Sequence, residues 1–159
     1  MKNIPFLNSL YTKHDAGVLL DKLERLEESL YNVKLPFATA VKNVFSFAAT
    51  EEFMGNIASA NVSTDSPDAL RKYLDTVKDD LQNLPTASIR VPTTPTDDTI
   101  KYISRWFDAN MGQRVILDFV VEPTLIGGVV IEYNGKYADY SLKKVINTRF
   151  ANPKQTLNN

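Results

Sequence analysis

The hydrophobic period of this chain changes once, between Leu84 and Ala87, and no other feature constrains the fold as much. Ahead of Pro85, apolar residues recur at steps of three and four, which puts them on one face of a helix. Beyond Ala87 the pattern switches between strand alternation and helical spacing. The expected fold is α+β in two parts. A helical bundle occupies residues 1–86, and a small β-sheet with two helices occupies residues 87–150, followed by a polar tail over residues 151–159. Charge shifts at nearly the same place. Residues 1–88 carry nine basic and twelve acidic side chains, a balance of −3, whereas residues 89–159 carry nine and seven, a balance of +2.

Four helices are expected in the first part. Leu19, Leu23, Leu26, Leu30 and Val33 form one stripe, and Phe37, Val41, Val44, Phe45 and Ala48 form a second. Pro36 suits the opening of that second helix. Thr50 followed by Glu51 and Glu52 has the form of a cap with acids in the first turn, so a short third helix starts there and ends near Ala60. Asp65 or Ser66 caps a fourth, with Pro67 in its first turn and Leu70, Tyr73, Leu74, Val77, Leu81 and Leu84 along its buried side. Amphipathic helices joined by short loops hide their stripes by packing into a bundle.

The second part mixes signals. Residues 88–91 read as a short strand. Thr96 caps a helix with Asp97 and Asp98 in its first turn, Ile100, Ile103 and Phe107 facing inward, and Gly112 just past its end. Residues 114–121 alternate as a strand, with Val115, Leu117, Phe119 and Val121 on one face. A strand over residues 129–133 runs into Asn134-Gly135, a tight hairpin signal, and residues 136–139 return from it. A last helix begins near Ser141.

Composition removes several function classes. The chain has 159 residues and no cysteine, so thiolate catalysis, disulfides and cysteine-ligated metals are excluded. Its one histidine, His14, lies in a polar stretch and reads as a surface residue. Eighteen basic against nineteen acidic side chains leave no electrostatic footprint for nucleic acid or an anionic membrane. The longest apolar stretch, residues 125–131, is too short to span a bilayer, and the protein is expected to be intracellular and soluble by itself. Asp97 and Asp98 are explained by the helix dipole without a metal. Glu27–Glu28 and Asp79–Asp80 read as solvated helix faces. Gly127-Gly128 lacks the lysine of a phosphate loop and the further glycine of a dinucleotide loop; it reads as a bulge or a close backbone approach between strands. Asp118 and Glu122 share a strand face and would serve an enzyme only if a deep pocket converged on them. A charged stripe on an edge strand explains them more simply. No cofactor and no metal are expected. What remains is a non-catalytic module for protein–protein interaction; Lys143 and Lys144 read first as solvated residues near a helix end and second as contacts for an acidic partner, and Tyr102 and Trp106 are either core or rim.

One stretch carries a resemblance. Glu122-Pro123, Leu125-Ile126-Gly127-Gly128, the Asn134-Gly135 turn, and Asp139 with Ser141 follow one another at spacings similar to those in the C-terminal region of the delta subunit of F-type ATP synthases, the oligomycin-sensitivity-conferring protein family. The likeness covers about residues 88–149. Departures are Tyr140 in place of a usual glycine, Lys143–Lys144 in the basic region, and four expected helices where the family's N-terminal domain usually has six. The resemblance implies a stator subunit on the peripheral stalk. Its helical domain would grip N-terminal segments of the alpha subunits, and its C-terminal region would hold the C-terminal region of the b subunit, without nucleic acid and without membrane insertion. It would then be cytoplasmic and attached to the membrane through the ATP synthase complex. A groove lined by Val41, Val44, Phe45 and Leu74 would receive the alpha segment, although plain core is the simpler reading of each of these residues. The alternative is a two-domain adaptor unrelated to ATP synthase.

Overall fold

The structure, a computed structural model, describes residues 5–32 and 36–151. The fold is α+β: α1 (Lys13–Asn32), α2 (Phe37–Val44), α3 (Phe47–Ser59), α4 (Pro67–Gln82), β1 (Thr86–Val91), α5 (Asp97–Met111), β2 (Ile116–Val121), β3 (Val130–Tyr133), β4 (Lys136–Asp139) and α6 (Leu142–Ala151). The chain forms two compact units. One holds the residues up to Leu10 and His14–Leu84, and the other holds Tyr11–Lys13 and the chain from Pro85 onward.

In the helical unit α1 buries Leu19, Leu23 and Leu26 and half-buries Leu30. Val33, expected in the same stripe, lies outside the described residues, as does the tail from residue 152. Ser66 caps α4: its hydroxyl accepts the Ala69 N–H at 3.3 Å, with Pro67 opening the helix. Leu70, Tyr73, Leu74, Val77 and Leu81 are then buried, as their spacing predicts.

The second and third helices depart from expectation. The stripe from Phe37 to Ala48 is not one helix: α2 stops at Val44, Phe45 is extended (φ −114°, ψ 152°), and Ser46 precedes α3. Thr50 is therefore no cap. It lies within α3 and is buried, while Ala48 faces solvent. The break lets Phe45 stack on Phe53 with ring centroids 5.0 Å apart, and Phe6 reaches both rings, at 5.5 and 6.3 Å. Such offset aromatic packing adds to simple area burial. Glu27 corrects the solvated-face reading as well. It is half-buried and bonds Lys78 of α4, which also holds Asp75 at 2.9 Å. Burial works against the Lys78 charge, but these two carboxylates outweigh it and raise the ammonium above its usual pKa.

In the second unit the strand order is β2-β1-β3-β4. β1 and β2 are parallel, joined through α5, and the remaining pairs are antiparallel. Ala87, Ile89, Val115, Leu117 and Phe107 of α5 form the core on one sheet face, with Ile100, Ile103, Phe119, Ile131 and Tyr133 packed against it. Thr96 caps α5 by accepting the Thr99 N–H at 3.3 Å. The hairpin places Asn134 at φ 49° and Gly135 at φ 72°, the positive φ values that a two-residue turn between twisted strands requires.

β2 does not keep the expected alternation. It starts at Ile116, two residues late, and Val115, Ile116 and Leu117 are all buried, whereas Val120 and Val121 are about half exposed. β1 flanks this first half on one edge. On the other, Thr12 bridges Leu117 and the Leu117 N–H donates to the Tyr11 carbonyl at 2.9 Å. A strand enclosed in this way reads as a continuous apolar run.

Candidate functional site

The residues of the Glu122–Ser141 motif converge on one junction, where the loop before β3 meets the connection from β4 to α6. The Glu122 N–H donates to the Val91 carbonyl at 2.7 Å, extending the β1–β2 pairing by one bond. Its carboxylate accepts the Thr124 hydroxyl at 2.9 Å and lies 3.9 Å from Arg90. Pro123 opens a single 3-10 turn that buries Leu125. Ile126 follows at φ 68°, ψ −41°. The Gly127 carbonyl accepts the Leu142 N–H at 2.9 Å, and the Val129 carbonyl accepts the Tyr140 N–H at 2.9 Å. Gly128 has φ 79°, and a β-carbon there would sit 2.2 Å from the Tyr140 carbonyl oxygen. The Gly-Gly pair thus serves a close backbone approach, but to the β4–α6 connection and not between two strands.

Asp139 and Ser141 fix the other side of the junction. The Ser141 N–H donates to Asp139 Oδ1 at 2.9 Å, and Ser141 Oγ accepts the Lys144 N–H at 3.2 Å, which caps α6. Hydrogen bonds from the Ser141 hydroxyl and N–H, helped by the charges of Lys144 and Lys143, hold the Asp139 carboxyl below its usual pKa. A depressed carboxyl pKa stabilises the fold above the ordinary carboxylate range and loses that contribution as pH falls through the folded value. Asp139→Asn is therefore expected to lower the melting temperature at pH 7. The gap to the parent protein should close as pH is taken below about 4, followed by circular dichroism melts at stepped pH. A gap that stays constant with pH would refute the ionic role.

Beside the junction is a polar recess of about 310 Å³, lined by Arg90, Glu122, Val130, Asp139, Lys143 and Lys144 among others. Asp118 is engaged elsewhere, 3.3 Å from Lys13. The Asp118–Glu122 pair considered for catalysis is thus divided between different cations. Among the described residues, no group of three His, Asp or Glu side chains is placed to hold a metal ion. No described helix is long and apolar enough to cross a membrane.

The residues considered for partner binding are distributed as follows. Val41 and Leu74 have no exposed surface, Phe45 is 6% exposed, and Val44 is half-buried. The first three are thus interior, the core role weighed for them from the sequence. Lys143 and Lys144 are exposed on α6. The helical unit does carry an open recess of about 370 Å³, walled by Phe6, Leu10, Val18, Leu19, Lys22 and Phe45, with His14 and Asp15 on its lining. Sequence reasoning missed it because Phe6 and Leu10 precede the first helical stripe and belong to no period. On α5, Tyr102 and Trp106 are 72% and 48% exposed, so neither belongs to the core.

Residues 36–149 match the sequence pattern of the family described as ATP synthase delta (OSCP) subunit. The match begins at Pro36, well ahead of the stretch that carries the resemblance in the sequence, and takes in α2 to α4. A protein of Syntrophobacter fumaroxidans named ATP synthase subunit delta is 24% identical over 146 residues, covering 87% of this chain and 77% of its own length. One of Methylorubrum populi with the same name is 29% identical over 82 residues, 52% of this chain and 43% of its own length.

Proposed function

The chain belongs to the ATP synthase delta (OSCP) subunit family, and from that premise we propose that it works as a non-catalytic stator subunit, holding the catalytic head to the peripheral stalk. The observation that carries this reading is the extent of the family match, which spans α2 to α4 as well as the sheet unit. The helical unit would grip N-terminal segments of the alpha subunits, and the C-terminal unit would hold the C-terminal region of the b subunit. The open apolar recess beside Phe45 supports the first contact in kind, since an amphipathic helix lays its apolar face into such a groove. A stator needs both grips together, because a tether bound at one end transmits no torque. Two linked contacts also hold far more tightly than either alone. On this reading the protein is peripheral to the membrane through the complex.

Tagged protein recovered from its native membranes in mild detergent should carry alpha, beta and b subunits in stable amounts, identified by mass spectrometry. Recovery of nothing, or of unrelated soluble proteins, would overturn the stator role and favour an adaptor unrelated to the synthase.

A further inference from the structure

The sheet unit holds the chain of the helical unit at two places on one strand. Adjacent amides of β2 turn to opposite edges: the Ile116 N–H donates to the Pro85 carbonyl at 2.8 Å, and the Leu117 N–H donates to the Tyr11 carbonyl at 2.9 Å. Pro85 directly follows the last residue of the helical unit. Tyr11–Lys13 is a short strap whose neighbours on both sides, Leu10 and His14, belong to that unit. The chain thus passes from one unit to the other at Leu10–Tyr11, Lys13–His14 and Leu84–Pro85. The strap and β1 flank β2 on opposite edges, so the two attachments lie about 10 Å apart, twice the spacing of neighbouring strands.

Side chains reinforce the strap. Thr12 bridges Leu117, and Lys13 lies 3.3 Å from Asp118. The Arg114 guanidinium stands over the Tyr11 ring, 5.0 Å from its centroid, and is itself held by Asp108 of α5. A segment that only blunted a sheet edge would need no anchor on either side. This one has two: Leu10, just before it, is 4% exposed, and α1 begins at Lys13. We infer that Tyr11–Lys13 is a clasp that suppresses twisting of the helical unit against the sheet unit. A single backbone crossing is a swivel, because a few residues absorb large φ and ψ changes. Two crossings about 10 Å apart act as paired hinge pins. They leave bending about the line through them and block rotation about either one alone. The inference rests on the stator reading for its use, since a tether that carries torque must resist twist.

The test is the distribution of distances between two spin labels on the full-length protein, measured by double electron–electron resonance. The chain has no cysteine, so labels at Ala58→Cys in α3 and Ala109→Cys in α5, both exposed, report on the two units without background. Tyr11→Ala/Lys13→Glu loosens the strap, and Lys13→Glu/Asp118→Lys reverses its ion pair while keeping it. The loosened protein should show a distribution about twice as wide or more, and the reversed pair should match the parent. In the loosened protein the Leu117 amide should exchange with solvent about tenfold faster or more, while the Ile116 amide, held by Pro85, keeps its rate. An unchanged width in the loosened protein, or equal widening in the reversed pair, overturns the clasp. Equal acceleration at Ile116 and Leu117 shows that the sheet itself has opened and overturns it too. Recovery of the parent with the synthase from native membranes reports separately on the stator role, so the clasp can fail while that role stands.

Discussion

Gly128→Ala is expected to cost the sheet unit about 3 kcal/mol or more, adding a strained positive φ to an overpacked contact, each worth about 1–3 kcal/mol. The added carbon would sit 2.2 Å from the Tyr140 carbonyl oxygen and 3.0 Å from the Ser141 α-carbon. Both obstacles are backbone, so no rotamer change clears them. The loop must withdraw, and withdrawal endangers the bonds from Leu142 to Gly127 and from Tyr140 to Val129. It would also uncover Ser141, which is 2% exposed. Urea denaturation followed by circular dichroism would show the loss as a lower midpoint, and Gly127→Ala is the control. Gly127 has ordinary φ, and its β-carbon would make normal contact with Leu142, so that variant should fall by well under half as much. Equal losses at the two glycines would refute the close-approach account.

The parts of the fold legible in the sequence are those decided locally. The Thr96 cap, a cap at Asp65 or Ser66, the Asn134-Gly135 turn and the start of the last helix near Ser141 each depend on a few adjacent residues, and each forms as its sequence indicates. What was not legible depends on partners remote in sequence. The break at Phe45 is favoured by Phe6 and Phe53, and no helical period contains all three. The end of alternation in β2 reflects Tyr11 and Thr12, about a hundred residues earlier. Glu27 looked like a solvated acid because its cation, Lys78, is 51 positions away. The motif itself was visible as a string of residues, but the clash that requires a glycine at position 128 appears only when the loop and the β4–α6 connection are brought together. The exposure of Ile126 is equally a property of the folded junction.

Phe53→Ala is the second large effect, expected at about 3–5 kcal/mol, the range for a buried phenylalanine truncated to alanine. Phe53 is fully buried and stacks on both Phe45 and Phe6. Removing its ring leaves those two without their common neighbour. Relaxation is limited because Phe45 sits at the break between two short helices of eight and thirteen residues, neither stable without its tertiary packing. The loss should therefore exceed that for Phe45→Ala, whose ring sits at the edge of the recess and can be replaced there by water. The functional consequence separates the two variants further. If the recess beside Phe45 takes an alpha-subunit segment, Phe45→Ala should weaken recovery of alpha subunits at temperatures where the protein is still fully folded. Phe53→Ala should weaken it only in step with unfolding. Thermal melts paired with alpha-subunit recovery at several temperatures would measure both. A Phe45→Ala protein that is folded and recovers alpha subunits as the parent does would remove the recess from the head contact.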